Sequence, residues 1–565
     1  MMAHEQHSVL DPRAPDGEER PPPPVTVAPP PGRPWRRLLL PLLVVVLLAQ
    51  MAAAMVTAAV QQTPTIDEPI YVATAADYLH EHRVRLNPEH PPLGKLVIAA
   101  GVAIADPHLD TSYKGDQSRF AQHLLYASGN DPWRLMFWAR LPVIVLTLLF
   151  GLVVFAFARE LAGAAAGLAA LAVYAFSPDL IAHGSLATLD VPAAGFVLTS
   201  AWLLWRARGR PRLYVPLAGL ALGAGLATKM SVLPVVPVLV ALAAWAVWRP
   251  GSADRRRALA RSLGAAGVVA VAAVAVVWAS YLVVDPRLRW SPAGQQVPAV
   301  HGLKGLLVRL MPVPESYRDG MRIQFGLEKY PWQGFLFGHL YTGSRWYYLP
   351  AALLVKTPLG MLALWAAGAV VMVTVRRLRP AAPYVLVPAA VLMASAMTGS
   401  RDFGTRYALF MPMFLAVAAG CVLLVRWRWA PLATGALVVF VAVSSLRTFP
   451  YYLPYSNEAF GGPSKTYLRL HDSNVDWGQD LGRLADRLRE RYRGERVWLV
   501  YKGSGVPAYY GIDASDPRKV PARQVHGLLV VSDTAVDKAR GQLGTLIDSS
   551  RPVDEVGHSI TIYRR

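Results

Sequence analysis

The residues best suited to chemistry lie in two short polar stretches after the first long apolar run. Thr65-Ile66-Asp67-Glu68-Pro69 puts adjacent carboxylates directly beyond that run. Thr65 and Glu68 have the spacing of a capping box, and acids suit a helix N-terminus, so a cap and a functional acid are both compatible with it. The second stretch is Asn87-Pro88-Glu89-His90-Pro91-Pro92-Leu93-Gly94-Lys95. Its prolines impose an extended approach and Gly94 permits a tight start to a helix. The plain reading is a loop-to-helix turn. The functional reading is that His90 and Lys95 face an anion near a helix start.

Further charges sit where apolar runs begin or meet. Arg140 opens the second run, where snorkelling to the interface is the ordinary expectation. Asp190, in Ala187-Thr188-Leu189-Asp190-Val191-Pro192, opens another with no basic neighbour in sequence. Lys229 joins two runs, Lys356 lies inside one, and Arg406-Tyr407 opens another after Arg401. Charges near membrane depth are costly and mark function. Carboxylates and cations gathered at one end suit a hydroxyl attacking the anomeric carbon of a sugar phosphate. The hydroxyl needs a carboxylate base, contributing roughly 10²–10⁴-fold. The departing phosphate needs cations, not a general acid. A glycoside hydrolase would need two carboxylates at a fixed separation, which spacing in sequence does not display.

These residues need a scaffold, and the composition says which kind. Of 565 residues, 54% are hydrophobic and 17% charged, against about 25% charged in a soluble domain. Apolar runs near the roughly 20 residues that cross a bilayer occupy 38–60, 135–157, 160–177, 185–205, 213–229, 231–248, 263–284, 347–374, 381–398, 407–425 and 430–447. They predict an all-α polytopic membrane protein of about eleven transmembrane helices. The run at 38–60 is too long for a signal-peptide core and is expected to be retained. The net charge of +20 does not point to nucleic acid. Arg206, Arg208, Arg210 and Arg212 form one cluster, and Arg249, Arg255, Arg256, Arg257 and Arg261 another. Arg376, Arg377 and Arg379 form a third, and Arg426 with Arg428 a fourth. Each lies between apolar runs, the pattern of cytoplasmic loops. The N-terminus is then cytoplasmic and 61–134, 285–346 and 448–565 are external.

Residues 1–36 are a polar, Pro-rich tail expected to be disordered. Residues 67–82 and 92–105 are expected to be helical, the second at the interface. The 285–346 loop carries Trp290, Trp332, Phe335, Phe337, Tyr341, Trp346 and Tyr347, an aromatic set suited to headgroup level. After 448 the pattern changes to a small external α/β domain, with a helix over 481–492 and strands at 497–501, 528–531 and 560–563. Gly503-Ser504-Gly505 reads as a turn, lacking the spacing of a nucleotide fingerprint. The single cysteine, Cys421, excludes an intrachain disulfide.

The segments Asp67-Glu68-Pro69-Ile70-Tyr71 and His90-Pro91-Pro92-Leu93-Gly94-Lys95 resemble the GT-C glycosyltransferases of the protein O-mannosyltransferase and lipid A aminoarabinose transferase superfamily. Ala139-Arg140-Leu141-Pro142, Leu189-Asp190-Val191-Pro192 and Arg406-Tyr407 with Pro412 extend the resemblance. Asp472-Ser473-Asn474-Val475-Asp476-Trp477-Gly478-Gln479-Asp480-Leu481 is similar to bacterial family-39 members with an external C-terminal domain. The resemblance implies a polyprenyl-phosphate-linked sugar donor and inversion at the anomeric carbon. It gives Asp67, with Glu68 beside it, work at the acceptor or a divalent metal, no other cofactor being expected. It implies that Arg140 and the basic residue of the Pro-Pro segment hold the donor phosphate; Lys229 and Arg406 are cations suited to the same work, and Glu89, Asp190 and Tyr407 are candidates for substrate contact. Expected partners are the donor, membrane lipids and a protein, glycan or lipid acceptor. Pro88 stands where mannosyltransferases have Asp, and His90 where aminoarabinose transferases usually have Lys. The rival readings are a secondary transporter or flippase, which would show internal repeats and broken helices at mid-membrane, and a non-catalytic assembly subunit, for which Asp67 would be dispensable.

Overall fold

The computed structural model describes residues 34–248, 254–290 and 297–565. The N-terminal tail as far as Arg33, and Arg249 of the second arginine cluster, lie outside them. Residues 43–565 form one unit; the unit before it contributes the opening turns of the first helix.

Every apolar run has become helix. The first part of the bundle contains α1 (Pro34–Gln61), α2 (Glu68–His80), α3 (Pro92–Ala105), α4 (Gln117–Tyr126), α5 (Pro132–Ala162), α6 (Ala164–Ala175), α7 (Pro178–Gly184), α8 (Asp190–Ala207), α9 (Pro211–Thr228), α10 (Val236–Val247) and α11 (Arg255–Val284). The second contains α12 (Gly302–Leu310), α13 (Glu315–Leu327), α14 (Tyr348–Lys356), α15 (Leu359–Thr374), α16 (Ala382–Ala396), α17 (Phe410–Gly420) and α18 (Ala430–Leu446). Among the described residues, the stretches 38–61, 132–162, 230–247 and 255–284 are long and apolar enough to cross a membrane singly. The bent pair α6 and α7, turned by 62° at Ser177-Pro178, qualifies together. Other runs are shortened by their own prolines. Thr357-Pro358 splits the expected 347–374 span into α14 and α15, because a residue before proline is driven out of the helical region.

These breaks create the site. Asp67, Asp190, Lys229 and Arg406 all fall at helix ends: before α2, at the start of α8, after α9, and in the tight turn 405–408 ahead of α17. Glycines let the bundle close around them. A Cβ on Gly219 or Gly223 would meet the α11 backbone at 2.9 and 2.7 Å, so small residues there allow α9 and α11 to pack tightly.

Strands β1 (Gln333–Leu336) and β2 (His339–Thr342) form a hairpin in the 285–346 loop. The C-terminal section is α/β. Helix α19 (Leu481–Arg491) precedes a five-stranded sheet built from β3 (Val497–Val500), β4 (Ala514–Ser515), β5 (Leu528–Ser532), β6 (Arg551–Val556) and β7 (Ile560–Arg564). In the sheet, β3 pairs in parallel with β4 and β5, and β7 pairs antiparallel with β5 and β6. Strand β5 is buried throughout, which its unbroken Leu-Leu-Val-Val predicts for a central strand. The edge strand β6 is not expected from sequence, since Arg551-Pro552-Val553-Asp554-Glu555 has neither alternation nor β propensity. Its proline and charges are tolerated because it lies at an edge and bulges between Pro552 and Asp554.

Candidate functional site

Adjacent acids on the sequence have opposite fates. Glu68 is fully buried and forked onto Arg140: Nε and Nη2 reach its two oxygens at 2.7 Å each. It also accepts from the Thr65 amide at 2.9 Å and the Ala187 amide at 2.7 Å. The capping box that the spacing of Thr65 and Glu68 allows is not formed: α2 starts at Glu68 with Asp67 as its N-cap and no side-chain cap bond, so the Thr65 contact braces the chain ahead of the helix. The other Arg140 donors go to the Ala59 and Gln62 carbonyls at 2.7 and 2.8 Å, and Nη2 also touches Thr63 O at 3.2 Å. Arg140, with no exposed side-chain surface, neither snorkels nor keeps a free donor for a phosphate. The clamp ties the end of α1, the start of α2, α5 and the turn before α8 together.

Asp67 faces the other way. Its Oδ2 accepts from Arg406 Nη1 at 2.5 Å, and 27% of its side chain remains exposed. Oδ1 has no hydrogen bond among the described residues. Arg406 also donates from Nη2 to the Tyr407 hydroxyl at 3.1 Å, and its guanidinium carbon lies 4.9 Å from the Tyr407 ring centre. On the same ring, Lys229 Nζ approaches to 5.4 Å, and Lys229 is ion-paired with Asp190. Tyr407 therefore joins two acid–base pairs, Asp67–Arg406 and Asp190–Lys229. The partner that Asp190 lacks in its own segment comes from the end of the next helix.

The Pro-Pro segment serves chiefly to hold its own shape. Lys95 is buried and donates to the Asn87 and His90 carbonyls at 2.8 and 2.7 Å. Glu89 Oε1 accepts from Asn87 Nδ2 at 2.9 Å and Gln117 Nε2 at 3.2 Å, leaving Oε2 buried without a partner. The His90 ring meets Tyr71 edge-on at 5.8 Å, with Nδ1 unpartnered. Burial first, then Lys229, Lys95, Arg401 and Arg406, hold the imidazole well below its ordinary titration range. A neutral His90 can donate one hydrogen bond but does not add a cation. Lys95 is taken up by backbone carbonyls, whereas the cations Arg406 and Lys229 are paired with the carboxylates of Asp67 and Asp190.

Two participants are visible in sequence only as neighbours of other residues. Arg401 binds Glu328 at 2.7 Å and Gln324 Oε1 at 2.8 Å. Trp477, inside the Asp-Trp-Gly-Gln-Asp motif, is buried under Arg406. The motif flags the segment, but nothing in it names the face of Trp477. Among the described residues, no group of three or more His, Cys, Asp or Glu side chains is gathered as metal ligands. Asp67, the acid that the resemblance offers to a metal, is paired with Arg406 instead.

Helix ends thus gather two acid–base pairs, Asp67–Arg406 and Asp190–Lys229, into a polar site within an apolar bundle, with Asp67 the more exposed acid of the two. Residues 44–286 match the family model of the dolichyl-phosphate-mannose-protein mannosyltransferases. The match is under half of the chain and takes in Asp67, the Pro-Pro segment, Arg140, Asp190 and Lys229; the resemblance to GT-C glycosyltransferases stands on it. Among solved structures, ArnT from Cupriavidus metallidurans in the apo state aligns at 13% identity with a TM-score of 0.47, over 92% of this chain and 97% of that one. The same protein bound to undecaprenyl phosphate aligns at 14% identity and a TM-score of 0.46 over the same shares. The S. cerevisiae protein O-mannosyltransferase Pmt1-Pmt2 complex bound to the sugar donor aligns at 18% identity and a TM-score of 0.35, over 43% of this chain and 33% of that chain. No curated protein sequence matches the chain.

Proposed function

We propose that the protein is a membrane glycosyltransferase that moves a sugar from a polyprenyl-phosphate donor to an acceptor hydroxyl at the outer face of the membrane, with inversion. The observation that carries the reading is the pair of acid–base couples around Tyr407, in which Asp67 is the more exposed acid, 27% against 4% for Asp190, and keeps Oδ1 free of hydrogen bonds among the described residues. Asp67 Oδ1 takes the proton from the acceptor hydroxyl as that oxygen bonds to the anomeric carbon. The bond from that carbon to the phosphate oxygen breaks, and the phosphate leaves with the electron pair. Arg406 and Lys229 stabilise the charge it gains, which is where fixed cations in a dry site act most strongly. Asp190 keeps Lys229 charged and aimed, and His90 offers a neutral donor. Arg140, Glu68, Lys95 and Glu89 hold the backbone that carries these groups. The family matched over 44–286 is described by a dolichyl-phosphate-linked mannose and a protein acceptor, which supports a lipid-phosphate donor here. An acceptor of protein, glycan or lipid class is resolved by comparing cell-envelope glycans and glycoproteins with and without the protein. Loss of one glycosylated species is the expected result; an unchanged envelope overturns the reading.

A further inference from the structure

The Asp-Trp-Gly-Gln-Asp segment lies far along the chain from Asp67, yet the two are stitched together. The Ile66 amide donates to the Trp477 carbonyl and the Thr63 amide to the Gln479 carbonyl, each at 3.0 Å. Thr63 Oγ1 donates to Gly478 O at 3.1 Å and accepts from the Leu481 amide at 3.2 Å. Ser504, from the turn after β3, donates to Thr65 O at 2.9 Å. Residues 63–66 are thus paired, strand-like, with 477–479 immediately before Asp67. Gln479 braces that strip from within, its Oε1 accepting the Trp477 amide at 2.8 Å and its Nε2 donating to Val475 O at 3.0 Å. From the strip, the Trp477 ring projects beneath Arg406, whose guanidinium carbon lies 4.4 Å from the ring centre. The His183 ring, from the bent helix pair, meets the same indole in a T-shaped contact with ring centres 6.0 Å apart.

We propose that Trp477 is a positioning residue: its indole face holds the Arg406 guanidinium against Asp67, so that the C-terminal section sets the geometry of the cation facing the donor phosphate. This rests on the reading of Arg406 as a phosphate-facing group. A guanidinium over a buried indole is held electrostatically by the ring's negative face, and phenylalanine preserves part of that face while leucine removes it.

The test uses the full chain in lipid nanodiscs with undecaprenyl phosphate as the probe. Trp477→Leu is expected to weaken its binding by about three- to thirtyfold, the scale of one cation–π contact. Trp477→Phe is expected to restore most of the loss. Arg406→Met should weaken binding by itself, and adding Trp477→Leu to it should cost little more, because the contact is already gone. Loss of melting temperature with unchanged affinity in Trp477→Leu, equal weakening by Leu and Phe, or additive losses in the double variant would each overturn the proposal. A double-mutant cycle in melting temperature on the same four proteins reads the Trp477–Arg406 contact without the probe. Wild-type protein that ignores undecaprenyl phosphate yet shows coupled melting keeps the contact and removes the functional reading; additive melting removes the contact.

Discussion

Asp67 and Glu68 show how little separates a structural acid from a reactive one. One peptide bond apart, one is forked onto Arg140 with no exposed surface and the other is open on one oxygen. Asp67→Asn keeps the shape and a hydrogen-bond acceptor for Arg406 while removing basicity. Its melting temperature is expected to fall less than that of Glu68→Gln, because Asp67 is partly exposed and asparagine still accepts from Arg406, while sugar transfer falls by roughly 10²-fold or more. Transfer and melting measured on one sample check this, and normal transfer would take Asp67 out of the reaction. Glu68→Gln strands the Arg140 charge in a buried site and Arg140→Ala strands Glu68; each is expected to cost about 3–5 kcal/mol of stability. Low yield and early melting are the readout, and a well-folded Arg140→Ala with selectively reduced turnover would return Arg140 to the donor.

Between elements, the Asp-Trp-Gly-Gln-Asp turn depends on Gly478. It sits at φ +91°, and a Cβ there would meet Gly503 Cα at 2.8 Å and the Tyr501 hydroxyl at 2.9 Å. Gly129 has a comparable φ of +77° with nothing within 4 Å. Gly478→Ala should therefore cost more than the roughly 1–2 kcal/mol of backbone strain expected for Gly129→Ala, and should loosen the 503–505 turn from Thr65. Melting temperature and protease sensitivity of the C-terminal section compare the two. The elements themselves are largely legible in sequence: apolar periodicity and proline place α2, α3 and α19 to within two residues, and a run of Leu and Val marks β5. Edge strand β6 is not, since its neighbours, not its residues, make it a strand. Asp190–Lys229 and Asp67–Arg406 are not legible as pairs either. Their partners are 39 and 339 residues apart, and only the packing of helix ends joins them. Sequence spacing identifies the charged residues but cannot divide Arg140 and Lys95, which bind backbone, from Arg406 and Lys229.

For the whole molecule, the Arg-rich connections and the buried acids of the C-terminal section set two expectations. The first is orientation: with Cys421→Ser as background, a cysteine at position 520 should label from outside without permeabilisation, as expected if the arginine-rich connections, such as that carrying Arg208 and Arg210, are cytoplasmic. Labelling only after permeabilisation would reverse that orientation. The second is pH dependence. Burial pushes Asp476 up to about 8, despite Lys502 nearby. Burial, with Asp533 and Asp476 close by, pushes Asp537 up to about 9. Burial also raises Asp533 to about 7, with Glu555 and Asp480 adding to it. Asp472 differs: burial opposes its ionisation, but Lys502 and His471 prevail and hold it down to about 2. In the unfolded chain each acid ionises near 4. Between about pH 4 and those raised values the folded state holds more protons than the unfolded one, so stability falls as pH rises, by up to about 1.4 kcal/mol per unit for each group still protonated. Asp472 is ionised in both states above about pH 5 and adds no slope there. Melting temperature should consequently decline from pH 6 to pH 9. Asp537→Asn removes one proton-holding carboxyl, whose Oδ2 is buried without a partner, and should make that decline shallower, most clearly from pH 8 to pH 9 where Asp476 and Asp533 contribute less, while leaving Asp67, Arg406 and transfer at pH 6 untouched. A decline of equal slope in Asp537→Asn would mean that this acid is already ionised in the folded protein. The slope would then belong to Asp476 and Asp533, and Asp476→Asn, measured over the same pH range, would have to flatten it.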